Sequence, residues 1–332
     1  MSRRSVLSPS STSWAERLRG GRFPVLAVML LWLAGTLLSL WLALRPRDDA
    51  GRDKAYSPPI LLGRVGSPWI SESSGLASSQ RNPGLLWTHN DSGDGAYLYC
   101  LDLKAHACGV WFLDDAGVVD WEGIALGPGP HPNTPYLYIG DTGDRPKRRG
   151  EVTIYRFREP RVTADATGST KQDPKRIARP TAITLRYPGE PHHAEAVMVH
   201  PVTGAIYLIT EDAPEPGSVY RATPPFVGPG PHPLTLAGRL RLPEPEGASV
   251  TGGDISADGQ RVAISTYEAG YEFELPKDHR GSFDAIWRRQ PLRIKLGPRK
   301  GSRAIAYTLD GKGLLTTSER PPALYEVLRQ ED

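Results

Sequence analysis

Two glutamates, Glu122 and Glu195, occupy the same place in two copies of a short motif, Trp-Glu-Gly-Ile-Ala (121–125) and Ala-Glu-Ala-Val-Met (194–198). If the copies are arranged around an axis, the two carboxylates converge, and converging like charges need compensation. One solution is a hard cation such as Ca²⁺, which takes several oxygen ligands; Glu122 and Glu195 are its candidate ligands here. A second is an ion pair with Arg303, which holds the same position in another copy. A third is a carboxyl pKa raised until one acid stays protonated. Beside a bound cation, either glutamate could also activate water for hydrolysis. The His192-His193 pair ahead of Glu195 adds a ligand or a base.

Further polar residues fall at equivalent places. They are His89, Asn90, Asp91 and Asp94, then Asp120, Asp141 and Asp144, then His193 and Glu211, and finally Asp254, Glu268 and Glu319. Taken singly, an Asp or Asn in such a turn caps nearby backbone N–H groups. Taken together, with Glu122, Glu195 and Arg303, they read as one acidic, ligand-binding rim.

The elements that must position this rim are strands. No stretch beyond residue 59 keeps a 3.6-residue apolar period; short Ile-, Val-, Leu- and Tyr-rich runs alternate with Gly, Pro and Asp-Gly turns. The runs repeat. A first strand recurs as SSGLA (73–77), WEGIA (121–125), AEAVM (194–198), GGDIS (252–256) and SRAIA (302–306). Each is followed by a second strand (LLWTHND, YLYIGD, IYLITED, VAISTYE, LLTTSE) and a third (YLYCL, VTIYRF, SVYRA, YEFEL, ALYEV). Four copies continue into a fourth strand. The last lacks one, and ILLGRV (60–65) at the front of the domain can supply it. The fold expected is therefore all-β: a β-propeller of four-stranded blades, five in number with six as the alternative, closed by its N-terminal strand. Residues 161–180 read as a loop insertion. Gly127-Pro-Gly-Pro-His-Pro132 reappears unchanged at 228–233, in turns at the end opposite the rim. Cys100 and Cys108 flank a hairpin turn, where a cross-strand disulfide is expected in an oxidising compartment.

Four segments result: a tail (1–22), a transmembrane helix (23–44), a linker (45–59) and the propeller (60–332). Residues 23–44 carry no charge and span roughly 33 Å as a helix, enough for a bilayer core. Arg3, Arg4, Arg17, Arg19 and Arg22 precede them, which places the N-terminus in the cytoplasm and the propeller outside it. Cleavage of the apolar segment would instead release a secreted domain. Residues 1–45 hold 6 Arg against 1 Glu, leaving 34 basic and 36 acidic residues for the remainder. The basic excess thus belongs to the anchor, and nucleic acid is not an expected partner.

The strings SSGLASSQRNPGLLWTHNDSGD, DWEGIALGPGP, YLYIGDTGDR and VTIYRFREP resemble those of bacterial secreted or membrane-anchored propeller proteins of WD40-like or TolB-like type. The likeness covers residues 60–330 and implies a fold and a location outside the cytoplasm. In three places the sequence departs from that pattern: Gly123 for a second acid, Arg145 for Asn, and Arg303 for Glu. More distantly, the ring of acids resembles calcium-dependent propeller hydrolases, the five-bladed apyrases and propeller phytases. Three functions follow as expectations: a ligand- or partner-binding module using the acidic rim, with or without a bound cation; a calcium-dependent phosphate or ester hydrolase; or a structural part of an envelope complex.

The topology is directly testable. With Cys100 and Cys108 replaced by Ser, a membrane-impermeant maleimide applied to intact cells should label Gly168→Cys and leave Ser8→Cys unlabelled. The reverse pattern would invert the orientation.

Overall fold

Each of the five repeats folds into an antiparallel sheet. The computed structural model describes residues 55–332, apart from 92, 212–216, 229, 244–248, 299–301, 319–320 and 331–332, together with Trp32. The expected tail and, except for Trp32, the expected membrane segment lie outside the described residues. Among the described residues no helix is long and apolar enough to cross a membrane. Contacts divide the chain into Met1–Gly51 and Arg52–Asp332, and the sheets all belong to the second unit.

Blade 1 runs from the axis outward as Ser73–Ser78, Leu85–Asn90, Tyr97–Asp102 and Ala107–Leu113. Blade 2 comprises Trp121–Pro128, Pro135–Asp141, Glu151–Arg158 and Thr181–Arg186. Blade 3 is Ala194–Val199, Ile206–Thr210, Ser218–Ala222 and Thr235–Arg239; blade 4 is Val250–Ile255, Arg261–Thr266, Gly270–Glu274 and Leu292–Ile294. Blade 5 takes Ser302–Tyr307, Gly313–Ser318 and Ala323–Leu328 from the C-terminus and Ile60–Arg64 from the front of the domain. The closing strand pairs antiparallel with Ala323–Leu328, Ile60 opposite Glu326 and Arg64 opposite Ala323. It therefore runs toward the rim, and the chain enters the domain at the other end.

The 161–180 insertion adds no blade. Its Lys175–Ile177 turns back and pairs in parallel with Ala107–Leu113, covering the open edge of blade 1. His232–Pro233, from the second Gly-Pro-rich copy, does the same for blade 2. The short 3₁₀ helix Phe283–Arg288 lies against the outer strand of blade 3, with Trp287 packed where a Cβ on Gly238 would sit. Sheet edges left bare would invite pairing with other chains.

Apolar side chains fill a separate wedge between each pair of neighbouring blades. The wedge between blades 5 and 1, with Leu76, Tyr99, Leu315 and Leu324, closes the ring. A buried carboxylate fastens the same region. Glu272 accepts hydrogen bonds from the Tyr56 and Tyr307 hydroxyls at 2.8 Å each and from the Arg329 guanidinium at 3.0 Å. Entry strand, last blade and C-terminal residues are thus joined at one side chain.

Cys100 and Cys108 are free thiols here, without the expected disulfide, and their side chains lie in hydrogen-bonding contact with each other. Cys100 pairs directly with Gly109, and the bulge before the Leu101–Ala107 pair sets Cys108 beside it.

Near the axis the five inner strands crowd. A Cβ on Gly123 would lie 2.8 Å from the Val197 backbone nitrogen. Blade 3 leaves no room for a side chain at this position. Gly123→Ala should lower stability by about 1–3 kcal/mol through overpacking. Gly150→Ala, with nothing within 4 Å, should leave the urea midpoint unchanged. Equal midpoints for both variants would refute the crowding.

Candidate functional site

The first strand of every blade carries a β-bulge at its rim end. The register shifts fall between Ser73 and Gly75, Trp121 and Gly123, Ala194 and Ala196, Val250 and Gly252, and Ser302 and Ile305. A bulged residue is left out of the ladder, which re-aims its side chain. In blades 1 to 3 these residues are Ser74, Glu122 and Glu195, and all three line the axial bore. The bore itself holds only about 10 Å³, room for at most one water.

Glu122 and Glu195 are brought together, as expected, and both are sealed, at 3% and 2% exposure. Burial, reinforced by the charge of Glu195, pushes the Glu122 carboxyl up to about 11. It is therefore protonated at neutral pH and in hydrogen-bonding contact with Glu195. Its Oε2 has no hydrogen-bond partner among the described residues.

Glu195 is the hub. Arg145 Nη2 donates to its Oε1 at 2.9 Å, and His193 Nε2 lies 2.8 Å from the same atom. Three donors converging on one carboxyl favour its ionised form. Arg145 also reaches Glu211 Oε2 through Nη1 at 2.9 Å. The planar guanidinium fork thus spans two acids, while the Arg145 side chain stays 57% exposed.

The backbone determines the state of His193. The Asp144 N–H donates to His193 Nδ1 at 2.8 Å, so Nδ1 is the acceptor nitrogen and the proton sits on Nε2, pointing at Glu195. Asp144 is held in turn by the Arg149 N–H at 2.6 Å, and Asp141 by the Arg149 side chain at 2.8 Å. This ties the 142–150 loop to the ring.

Two groups bring metal-ligating atoms within 4.8 Å of one another: Asp120, Glu122 and His193, and His193, Glu195 and Glu211. Both use His193. Its ligating nitrogen would have to be Nε2, which carries the proton, and moving that proton to Nδ1 would set it against the Asp144 N–H. The donor set, with an imidazole in both groups, also departs from the all-oxygen shell that Ca²⁺ prefers. The residues present do not fit a resident calcium ion in this arrangement.

The remaining expected residues divide. Asp120 is half-buried beside Gly143, where a Cβ would fall 2.1 Å from its Oδ2, and burial, then Asp91, raises its carboxyl pKa. Asp91 borders the same cluster and adds its charge to Glu122. Asp141 accepts the Val119 and Asp120 N–H groups and shapes the turn. Asn90 and Asp94 organise the blade 1 turn: Asn90 Oδ1 accepts the Ser71 and Glu72 N–H groups, and Asp94 takes the Tyr99 hydroxyl and Lys171. His89 is fully buried and its pKa is lowered by that burial. Its Nδ1–H donates to the Asn90 carbonyl, and Trp121 packs edge-on to its ring at 6.0 Å. Glu268 is exposed in a turn and stands apart from the cluster.

Asp254 is a correction: it lies at the opposite end of the disc. The bulge in blade 4 falls at Thr251, so Asp254, three residues further on, has passed the axis and accepts the Tyr307 N–H at 2.9 Å. Arg303 is in the expected strand, its side chain outside the described residues, as is Glu319. The compensating cation is Arg145, on Glu195 and Glu211.

Two solved structures can be superposed on this chain. A Myxococcus xanthus glutaminyl cyclase superposes with a TM-score of 0.45 at 14% identity, over 82% of this chain and 97% of that one. The Cps50 (Swd1) β-propeller domain of Myceliophteria thermophila gives 0.42 at 11% identity, over 82% and 100%. No family model matches the sequence, and no curated protein matches it.

The protonation of Glu122 has a measurable sign. A group whose folded pKa is raised contributes fully below its unfolded value of 4.5, and that contribution is lost as pH climbs toward about 11. Gln mimics the protonated acid without that loss. Glu122→Gln should therefore stabilise the protein by on the order of 2–3 kcal/mol at pH 7, the gain shrinking toward zero near pH 5. A gain that did not change with pH would show that Glu122 is ionised.

Proposed function

We propose that this chain is a ligand-binding module displayed outside the cytoplasm on a membrane helix at 23–44, and that its ligand meets the rim through the 142–150 loop. The observation that carries the reading is the layering of charge at the bore. Glu122 and Glu195 lie buried and engaged with one another, His193 and Arg145, whereas Arg145, Lys147 and Arg148 face solvent. The face that reads as acidic in sequence is acidic underneath and basic on top. A ligand arriving there meets guanidinium and ammonium groups first, which suits carboxylate or phosphate groups on the ligand.

The hydrolase reading is less well supported. It needs Glu122 or Glu195 as a base in contact with water, but Glu122 carries a proton at neutral pH, Glu195 is the acceptor of three donors, and the bore admits at most one water. The closing strand runs toward the rim, so residues 55–59 enter the domain at the far end of the disc.

Two charged probes separate the versions of this reading. Full-length protein in a neutral detergent should bind a heparin-derived hexasaccharide more tightly than a lysine hexamer at 50 mM salt. The Lys147→Ala/Arg148→Ala double variant should lose at least tenfold of the hexasaccharide affinity, with its melting temperature unchanged. Preference for the lysine hexamer would restore the acidic face as the recognition surface.

A further inference from the structure

At the end of the disc away from the rim, the inner strands open into a cavity of about 590 Å³. Its walls combine apolar and prolyl side chains, Leu126, Pro128 and Pro132 from the first copy of the Gly-Pro-rich turn and its strand with Ile255 and Leu309 across from them, with neutral polar groups such as Gln80 and Asn133. Into this bowl opens the carboxyl of Asp254.

Asp254 is held in place by the backbone alone. Oδ1 accepts the Ile255 N–H at 2.8 Å and Oδ2 the Tyr307 N–H at 2.9 Å. Among the described residues no Lys or Arg lines the cavity, and the lining His131 is exposed. The nearby cation, Arg261, is committed elsewhere. It donates to the Gly311 carbonyl at 3.0 Å, lies 3.5 Å from Glu272 and covers the Tyr307 ring at 5.2 Å. The Tyr307 hydroxyl is likewise engaged, on Glu272.

A carboxyl at the floor of a large bowl with no lining cation is unusual, since burying charge without a partner is unfavourable. Two amide donors would ordinarily lower its pKa. Instead burial outweighs them and raises it to about 7. Such a site is complete when a ligand brings the cation. We infer that this bowl binds a small organic ammonium ion, an amine on an apolar body, with Asp254 as its counter-ion and the Leu126, Pro128 and Leu309 walls packing the body. This site is separate from the rim and does not depend on how the rim functions.

The test uses two probes of one shape. Tryptamine carries an ammonium; tryptophol replaces it with a hydroxyl. Isothermal titration of the full-length protein in neutral detergent at pH 8 should show tryptamine binding at least tenfold more tightly than tryptophol. Asp254→Asn keeps one oxygen acceptor and should abolish that preference. In the unaltered protein the preference should also shrink at pH 5, where Asp254 is protonated, giving a readout that does not depend on the variant folding. Equal affinity for the two probes at pH 8, no binding of tryptamine at millimolar concentration, or a preference retained at pH 5 would each overturn the proposal.

Discussion

Five inner strands meeting around one axis leave little room, and most of what is distinctive in this molecule follows from that crowding. Where the strands come closest, side chains must be small: Gly75, Gly123, Gly253, Ala196 and Ala304 all stand there. A strand cannot keep straight pairing through such a narrow space, and each of the five answers with a bulge at the same point. The bulge releases a residue from the ladder, and in blades 1 to 3 that residue, Ser74, Glu122 or Glu195, lines the bore. Packing geometry, and not any local preference of glutamate, is what brings Glu122 and Glu195 face to face.

Once they are there, electrostatics has to be satisfied inside a space too small for bulk water. The protein does this with a proton on Glu122, a neutral imidazole on His193 whose tautomer is chosen by the Asp144 amide, and the fork of Arg145 across Glu195 and Glu211. Each element comes from a different stretch of chain, so the network also couples blade 2 to blade 3. Buried charge pairs add little net stability, but they penalise alternative arrangements.

The blade repeat, the closing strand at 60–65 and the meeting of Glu122 with Glu195 were legible in the sequence because period-two strands and recurring motifs survive without knowledge of contacts. Asp254 was not. Its motif, GGDIS, aligns by similarity with the others, but the bulge in blade 4 lies at Thr251, and a shift of a few residues along a strand carries a side chain from one face of the disc to the other. The role of Arg145 was hidden for another reason. It lies in a loop, and only the fold reveals that its reach covers two acids from the next blade. The bowl at the far end was invisible because its walls are ordinary turn residues, Pro-rich segments whose composition explains itself by local conformation.

Glu272 joins the entering chain at Tyr56 to the last residues of the final blade at Arg329, deep between strands. A load applied to the entering chain is therefore shared at once between Ile60–Arg64 and the C-terminal strand beside it. Those two strands run antiparallel, with the chain entering at one end of the ladder. A pull along the strand direction loads the rungs in shear, all together, whereas a pull across it would peel them singly. The seam of the ring is where the chain enters, and the direction of tension decides whether it holds as a unit or unzips.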